Sequence, residues 1–372
     1  MTNVLFPGRV GLQQRVIPSY RAAFFEMLAK ACSGGLCIFA GNPLPKEGIE
    51  PVDNLQIATL VHAKNMNLLD PSSSMYMCWQ NGFINWLEEW QPDVLIVEAN
   101  PRYPVTRKAI AWMHRRGRAV IGWGLGAPNI NGGLAYLRKR ERSSFLHSLD
   151  ALIAYSSLGA EQYLQLGIPQ DRVTVAMNAV DPAPTHPAPD KPVLINGKAT
   201  VLFIGRLQHR KRLDLLLHAC ASLPQDIQPH IVVVGDGPAR QQFENLAHQI
   251  YPNVEFVGAK HSIELEPFFS QADLFVLPGS GGLAIQQAMA HGLPIVVAHG
   301  DGTQNDLVRI DNGWQVPSDN LTELGNILRQ ALSDPTQLRR MGSASYRIVT
   351  EEINLEKMVE VFIRALNKVY RK

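Results

Sequence analysis

Residues 274–297 read LFVLPGSGGLAIQQAMAHGLPIVV. The first four are short and wholly apolar, the pattern of a buried parallel strand. Pro278 ends that run, and Gly279, Gly281 and Gly282 form a loop whose backbone can come close to a ligand. Good helix formers follow from Leu283 to His291. Gly292 suits the helix end, Pro294 stops continuation, and residues 295–297 read as the next buried strand. Strand, glycine loop, helix and strand in this order place free N–H groups and the positive end of a helix dipole beside the loop. That arrangement binds anions, most often phosphate. A packing turn in any α/β domain reads the same way, so the rest of the chain must decide.

The same alternation extends in both directions. Upstream, residues 200–204, 231–234 and 254–257 read as strands, separated by helices over 212–222 and 239–250, with a short helix over 263–270. Downstream, 321–333 and 355–370 read as helices. In the first half, strands are expected at 3–7, 36–39, 55–60, 93–98, 119–123, 151–155 and 173–175. Helices are expected at 18–31, 75–90 and 106–116. The stripe Trp79, Phe83, Trp86 and Leu87 is read as core packing. Between the halves, Pro182, Pro184, Pro187, Pro189 and Pro192 make a stiff, extended connector. The expected fold is therefore α/β with two Rossmann-like domains facing a cleft. Their bounds are 1–182 and 199–350, with a proline-rich linker at 183–198. Residues 351–372 form a closing helix whose apolar stripe needs a partner surface.

At 372 residues, with 46% apolar and 18% charged content, the chain is long enough for two cores and is not of disordered composition. A net charge of +2 gives no global electrostatic signal. Cys32, Cys37, Cys78 and Cys220 show no CxxC spacing and no zinc pattern, and are read as reduced core thiols of a cytosolic protein. No metal is expected. The sequence has no signal-peptide pattern and no apolar run long enough to span a membrane.

Two further stretches carry chemistry. Gly205 and Arg206 follow a strand, and Lys211 opens the next helix between Arg210 and Arg212. Cations at a helix start are unfavourable with the dipole, which argues for an anionic ligand over a solvated basic turn. Gly235-Asp236-Gly237-Pro238 is a second strand-to-glycine turn, equally readable as a plain turn with Asp236 as helix cap.

Taken in order, Gly-Arg-Leu with Lys211, Gly-Asp-Gly-Pro, Val-Glu-Phe-Val-Gly and the glycine loop ending Ala-Met-Ala-His-Gly-Leu-Pro-Ile-Val closely resemble the donor domain of family 4 glycosyltransferases, of GT-B fold. The resemblance covers residues 199–370 well. The first half is looser, carried by Tyr20-Arg21, Phe24-Phe25 and residues 178–181. It implies a retaining transferase that uses a nucleotide diphosphate sugar, UDP or GDP, with no other cofactor. It implies that the terminal helix crosses back onto the first domain. Arg206 and Lys211 match the diphosphate-binding pair that stabilises the leaving group. Gly282 and Leu283 match the positions whose backbone N–H groups meet phosphate; Gly205, Gly235, Ser280 and Gly281 accompany them. Phe256 and Val257 match the nucleobase segment. Two family glutamates are replaced, by Gly279 at the transferred sugar and by Gln287 at the ribose. The loop after Trp123 also lacks the family's usual His. Gln287 is expected still to hydrogen-bond a ribose hydroxyl, and Gly279 to leave the sugar pocket open.

Acceptor-side candidates are Arg9, Glu98, Arg102, Asn129 and Asn131. The acceptor is expected to be a glycan, a lipid-linked molecule or a small molecule. Between Arg102 and Arg142 ten basic residues face one acid, Glu141. This stretch is either a solvated face or a contact with anionic lipid on the inner face of a membrane; no nucleic-acid motif accompanies it. A silent nucleotide-sugar binder supporting an active partner and a nucleotide-sugar epimerase are the alternative functions.

Overall fold

The computed structural model describes residues 5–370 apart from 72, 74, 131, 193–197, 282 and 301. Its internal contacts divide the chain into two units, Met1–Val180 with Leu355–Lys372, and Asp181–Asn354.

The first unit is built on eight strands: β1 Val10–Val16, β2 Leu36–Gly41, β3 Thr59–Leu68, β4 Met77–Asn81, β5 Val94–Glu98, β6 Ala119–Gly124, β7 Ala151–Ala154 and β8 Val173–Val175. Their order in the sheet is β4-β3-β2-β1-β5-β6-β7-β8. All neighbours are parallel except β3 and β4, which form an antiparallel edge. The order reverses direction between β1 and β5, so a crevice for ligands is expected at the carboxyl ends there.

Three elements differ from the sequence reading, the first being the strand expected at 55–60, which runs instead over Thr59–Leu68. The first described strand is Val10–Val16; of the strand expected at 3–7, residues 3 and 4 lie outside the described residues and Phe6 makes only an isolated bridge to Cys32. The helix expected over 75–90 starts at Phe83, because Met77–Asn81 pairs with β3 and Gly82 turns the chain at φ 82°. Two helices of this unit were not expected, Ala135–His147 and Ser157–Gln165.

The closing helix Leu355–Val369 belongs to this first unit. Phe362 is fully buried, with its ring 5.0 Å from both Phe24 and Trp123. Tyr370 meets Phe6 edge-on at 5.1 Å. The apolar stripe has its partner surface, as the sequence required.

The second unit has six strands: β9 Thr200–Ile204, β10 His230–Val234, β11 Val254–Gly258, β12 Leu274–Leu277, β13 Ile295–Ala298 and β14 Gly313–Val316. They are all parallel, in the order β11-β10-β9-β12-β13-β14. β12 and β13 are buried along their whole length, which is why they read as unbroken apolar runs. The switch in strand order falls between β9 and β12. Part of the proline-rich stretch lies against this unit. The Lys191 ammonium donates to the Phe269, Ser270 and Ala272 carbonyls at 2.7–3.0 Å, closing the end of the helix Glu266–Gln271.

All four cysteines are buried free thiols. Among the described residues no helix is long and apolar enough to cross a membrane.

Candidate functional site

The loops after β9 and β12 make the crevice of the second unit. β9 leads through Gly205 and Arg206 to a 3₁₀ turn, His209–Lys211. β12 leads through Pro278 to the glycine loop and the helix Leu283–Ala290. The two loops interlock: the Ser280 N–H donates to the Arg210 carbonyl at 3.0 Å. Buried Gln304 also reaches the Gly279 carbonyl at 3.4 Å.

Lys211 is the central side chain. Only 9% of the residue is exposed, and its ammonium makes no hydrogen bond or ion pair among the described residues. The methylenes pass Gly205, where an added Cβ would lie 3.7 Å from Cε. The ammonium ends beside Gly281, 2.9 Å from where a Cβ would stand. Gly281 has φ +83°, so glycine is required both by the backbone and by the ammonium. Burial, and secondarily the charge on Arg210, push the Lys211 pKa down to about 8. A nearly buried cation without a counter-ion among the described residues, set at the amino end of a helix, is a place prepared for an anion.

The surroundings fit that reading. Arg206 is exposed at the turn and makes no hydrogen bond or ion pair among the described residues. Arg210 is held by Gln208 at 2.9 Å and reaches the Ser280 hydroxyl at 3.4 Å. Gln208, His209, Arg210, Pro238 and Ala239 line a cavity of about 440 Å³ beside this turn. Gly205 N–H donates to Val234, and Leu207 N–H to Asp236, so the turn after β10 is packed on the turn after β9. Gly235 N–H in turn donates to Gly258 at the end of β11. Phe256 and Val257, on β11, are half-buried. Gly282 lies outside the described residues, as does the side chain of Leu283. Arg212, which caps the helix Leu213–Ala221, is paired with Asp214 and Asp319.

Two motif positions stand apart, and the first differs from expectation. Gly279 does not leave an open pocket. A Cβ there would fall 2.3 Å from the Arg210 carbonyl oxygen and 2.4–2.5 Å from the Lys211 backbone, so the space is filled by main chain. Gln287 is half-buried and hydrogen-bonds the Asp181 carboxyl, whose pKa is nonetheless raised because burial outweighs that bond and the nearby His291. The neighbouring Gln286 spans from the Asp181 carbonyl at 3.2 Å to the Ile353 carbonyl at 3.0 Å.

The first unit has its own cavity, of about 990 Å³, at the carboxyl ends of β5, β6 and β7. Glu98, Arg102 and Asn129 line it together with Trp123 and Tyr155. The Glu98 carboxyl accepts from the Arg15 backbone N–H and from Tyr103, and burial raises its pKa. Arg15 itself is paired with Glu47 at 2.7 Å. Arg9 does not belong here. It precedes β1 at the amino end of the sheet, where its N–H bonds Asp93 and its guanidinium covers Trp90. Asn131 lies outside the described residues. Arg138 and Arg142, read from sequence only as part of the basic stretch, line this cavity from one face of the helix Ala135–His147. Their i, i+4 spacing was the available signal.

Comparison with known proteins agrees with this construction. Residues 187–348 match the family glycosyl transferases group 1. The chain is 30% identical over 181 residues to a GDP-mannose-dependent alpha-mannosyltransferase of Mycobacterium tuberculosis, covering 46% of this chain and 45% of that one. The chain spans about half the length of the curated relatives it matches. In fold it is similar to sucrose-phosphate synthase from Thermosynechococcus elongatus, with a TM-score of 0.72 at 18% identity, covering 97% and 99% of the two chains. It is also similar to Anabaena HepE solved with UDP, with a TM-score of 0.69 at 15% identity and the same coverage. Residues 187–348 are thus similar in sequence to the group 1 glycosyl transferases, and along nearly its whole length the chain has the fold of these solved structures.

Proposed function

We propose that this chain is a retaining sugar transferase that takes a nucleotide diphosphate sugar as donor. The observation that carries the proposal is the Lys211 ammonium, nearly buried and without a counter-ion among the described residues at the β9–β12 switch point. In this reading Lys211 and Arg206 hold the donor diphosphate from two sides, and the amino end of the helix Leu283–Ala290 adds its dipole. The bond from the sugar's anomeric carbon to the diphosphate oxygen breaks, and its electron pair stays on the diphosphate. The cations stabilise that developing charge. An acceptor hydroxyl forms the new bond on the same face of the sugar and gives its proton to the departing diphosphate. In the same reading Phe256 and Val257 flank the base, and Gln287 approaches the ribose once it turns from Asp181. The donor nucleotide is UDP or GDP. HepE was solved with UDP, and the mycobacterial relative is named for GDP-mannose.

The acceptor belongs to the cavity of the first unit. The exposed Lys139 and Arg140 beside Tyr136 favour a transient contact of this unit with an anionic membrane surface. One observation favours a second reading, a silent nucleotide-sugar binder. Main chain fills the space at Gly279, so no side chain from that position reaches the sugar.

Calorimetry with UDP, GDP and their sugars tests the donor site. Lys211→Ala should weaken nucleotide diphosphate binding by about tenfold or more, the loss of one charge-assisted bond. Unchanged affinity would refute the assignment.

A further inference from the structure

The cavity of the first unit combines two chemistries that a sugar acceptor alone does not require. Its floor is cationic, with four arginines against two carboxylates. Arg102, Arg107, Arg138 and Arg142 all line it, against Glu98 and Glu141. Glu141 is already taken by Arg107 at 3.0 Å, and Glu98 faces the Arg15 N–H and Tyr103. The guanidiniums of Arg102 and Arg138 make no hydrogen bond or ion pair among the described residues. Arg142 reaches the Pro128 carbonyl at 2.7 Å with one nitrogen, while its Nε is buried without a partner. The like charges of Arg138 and Arg142 oppose each other across one helical turn. Three cations lining one cavity, with both of its carboxylates already engaged by other groups, call for an anion of more than one charge.

The rim of the same cavity is apolar. Met75, Met77, Leu125, Leu134 and Leu137 line it, and each is 41–58% exposed. Large apolar side chains gathered at one cavity mouth mark a surface that meets another apolar body. The methionines supply adaptable packing suited to a flexible chain.

We propose that this cavity takes a phosphate or diphosphate ester of a long apolar chain, with the phosphate on Arg138, Arg142 and Arg102 and the chain across the Met75–Leu137 rim. This deepens the transferase reading by naming the acceptor class, a lipid-linked phosphate, and rests on that reading for the transfer itself. A phosphorylated or sulfated glycan would meet the arginines but would leave the rim without a partner.

The test uses the full chain and calorimetric titration below the micelle concentration of each probe. The probes are farnesyl diphosphate, lysophosphatidic acid, farnesol and inorganic diphosphate, with UDP titrated separately. The two tailed phosphates separate isoprenoid from acyl sources. Saturable binding of at least one of them, with farnesol and inorganic diphosphate each at least tenfold weaker, supports the proposal. Arg138→Gln and Leu137→Gln should each weaken it about fivefold to tenfold and leave UDP affinity unchanged. Equal binding of inorganic diphosphate would overturn the chain's role, and equal binding of farnesol the phosphate's. UDP binding with no tailed phosphate bound overturns this acceptor class and leaves the donor site standing. Tailed phosphates bound without any UDP binding supports this cavity and refutes the donor site.

Discussion

Raising the pH should weaken nucleotide diphosphate binding for a reason located in one side chain. In the empty protein, burial pushes Lys211 down to about 8, from an ordinary value of 10.5. The ammonium fraction is then about nine-tenths at pH 7 and about one-tenth at pH 9. A bound diphosphate beside Gly281 favours the charged form and restores the ordinary lysine range. Binding above pH 8 must therefore take up a proton, about half a proton per nucleotide at pH 8 and nearly one at pH 9. Affinity should fall by up to about tenfold for each pH unit above 8. The nucleotide's own terminal phosphate, ionising near pH 6, stays constant in this window. The assay is titration of UDP or GDP at pH 7, 8 and 9 in pairs of buffers with different ionisation enthalpies. Proton uptake is the slope of apparent enthalpy on buffer enthalpy. Flat affinity from pH 7 to 9 with no buffer dependence would refute the placement of a depressed, unpaired Lys211 at the phosphate.

Three further outcomes are expected. Lys211→Met should raise the melting temperature of the empty protein while weakening nucleotide diphosphate binding by about tenfold or more. The unfolded state binds the Lys211 proton more tightly, so the wild type gains stability only as pH rises from 8 towards 10.5; below 8 it carries the whole penalty, roughly 3 kcal/mol at most. Scanning calorimetry at pH 7 would show it, and a lowered melting temperature would contradict it. Gly279→Ala should destabilise by about 1–3 kcal/mol, read from urea unfolding, because its Cβ meets the Arg210 and Lys211 main chain. Neutral stability would mean that the interlocked loops are looser than described. Sedimentation with anionic vesicles should be detectable at low salt and decline as salt shortens the Debye length. Equal sedimentation with neutral vesicles would count against the membrane contact.

Much of this molecule was legible from residue order. Residues 274–277 and 295–297 announced buried parallel strands because β12 and β13 carry neighbours on both faces. Lys211 and the glycine loop were legible because phosphate chemistry needs cations and bare backbone in fixed sequence. Other features depend on contacts distant in the chain. β1 was missed because its buried Gln13 interrupts the apolar pattern, and the partner that satisfies it, Gln80, lies 67 residues away. β4 was read as helix because Trp79, Phe83 and Trp86 fall near helical spacing, although only the last two belong to the helix Phe83–Trp90. The helix Pro335–Glu351 escaped notice despite a legible start, Asp334 capping it and Pro335 in its first turn. The crowding at Gly279 could not be read at all, since the 209–211 turn that causes it is some 70 positions upstream. The cationic floor of the first unit was visible only as a charge run until the helix Ala135–His147 put Arg138 and Arg142 on one face.

The central claim is that a sugar leaves a nucleotide diphosphate held by Lys211 and Arg206 and joins an acceptor with its configuration kept. Proton NMR of the full chain with UDP- and GDP-sugars, each with and without lipid-linked phosphate and soluble glycan acceptors, tests it directly. The account predicts acceptor-dependent release of nucleotide diphosphate and a product whose anomeric coupling matches that of the donor, both lost in a folded Lys211→Ala variant. A nucleotide sugar that binds but is never consumed across that panel, or a product of inverted configuration, would contradict it.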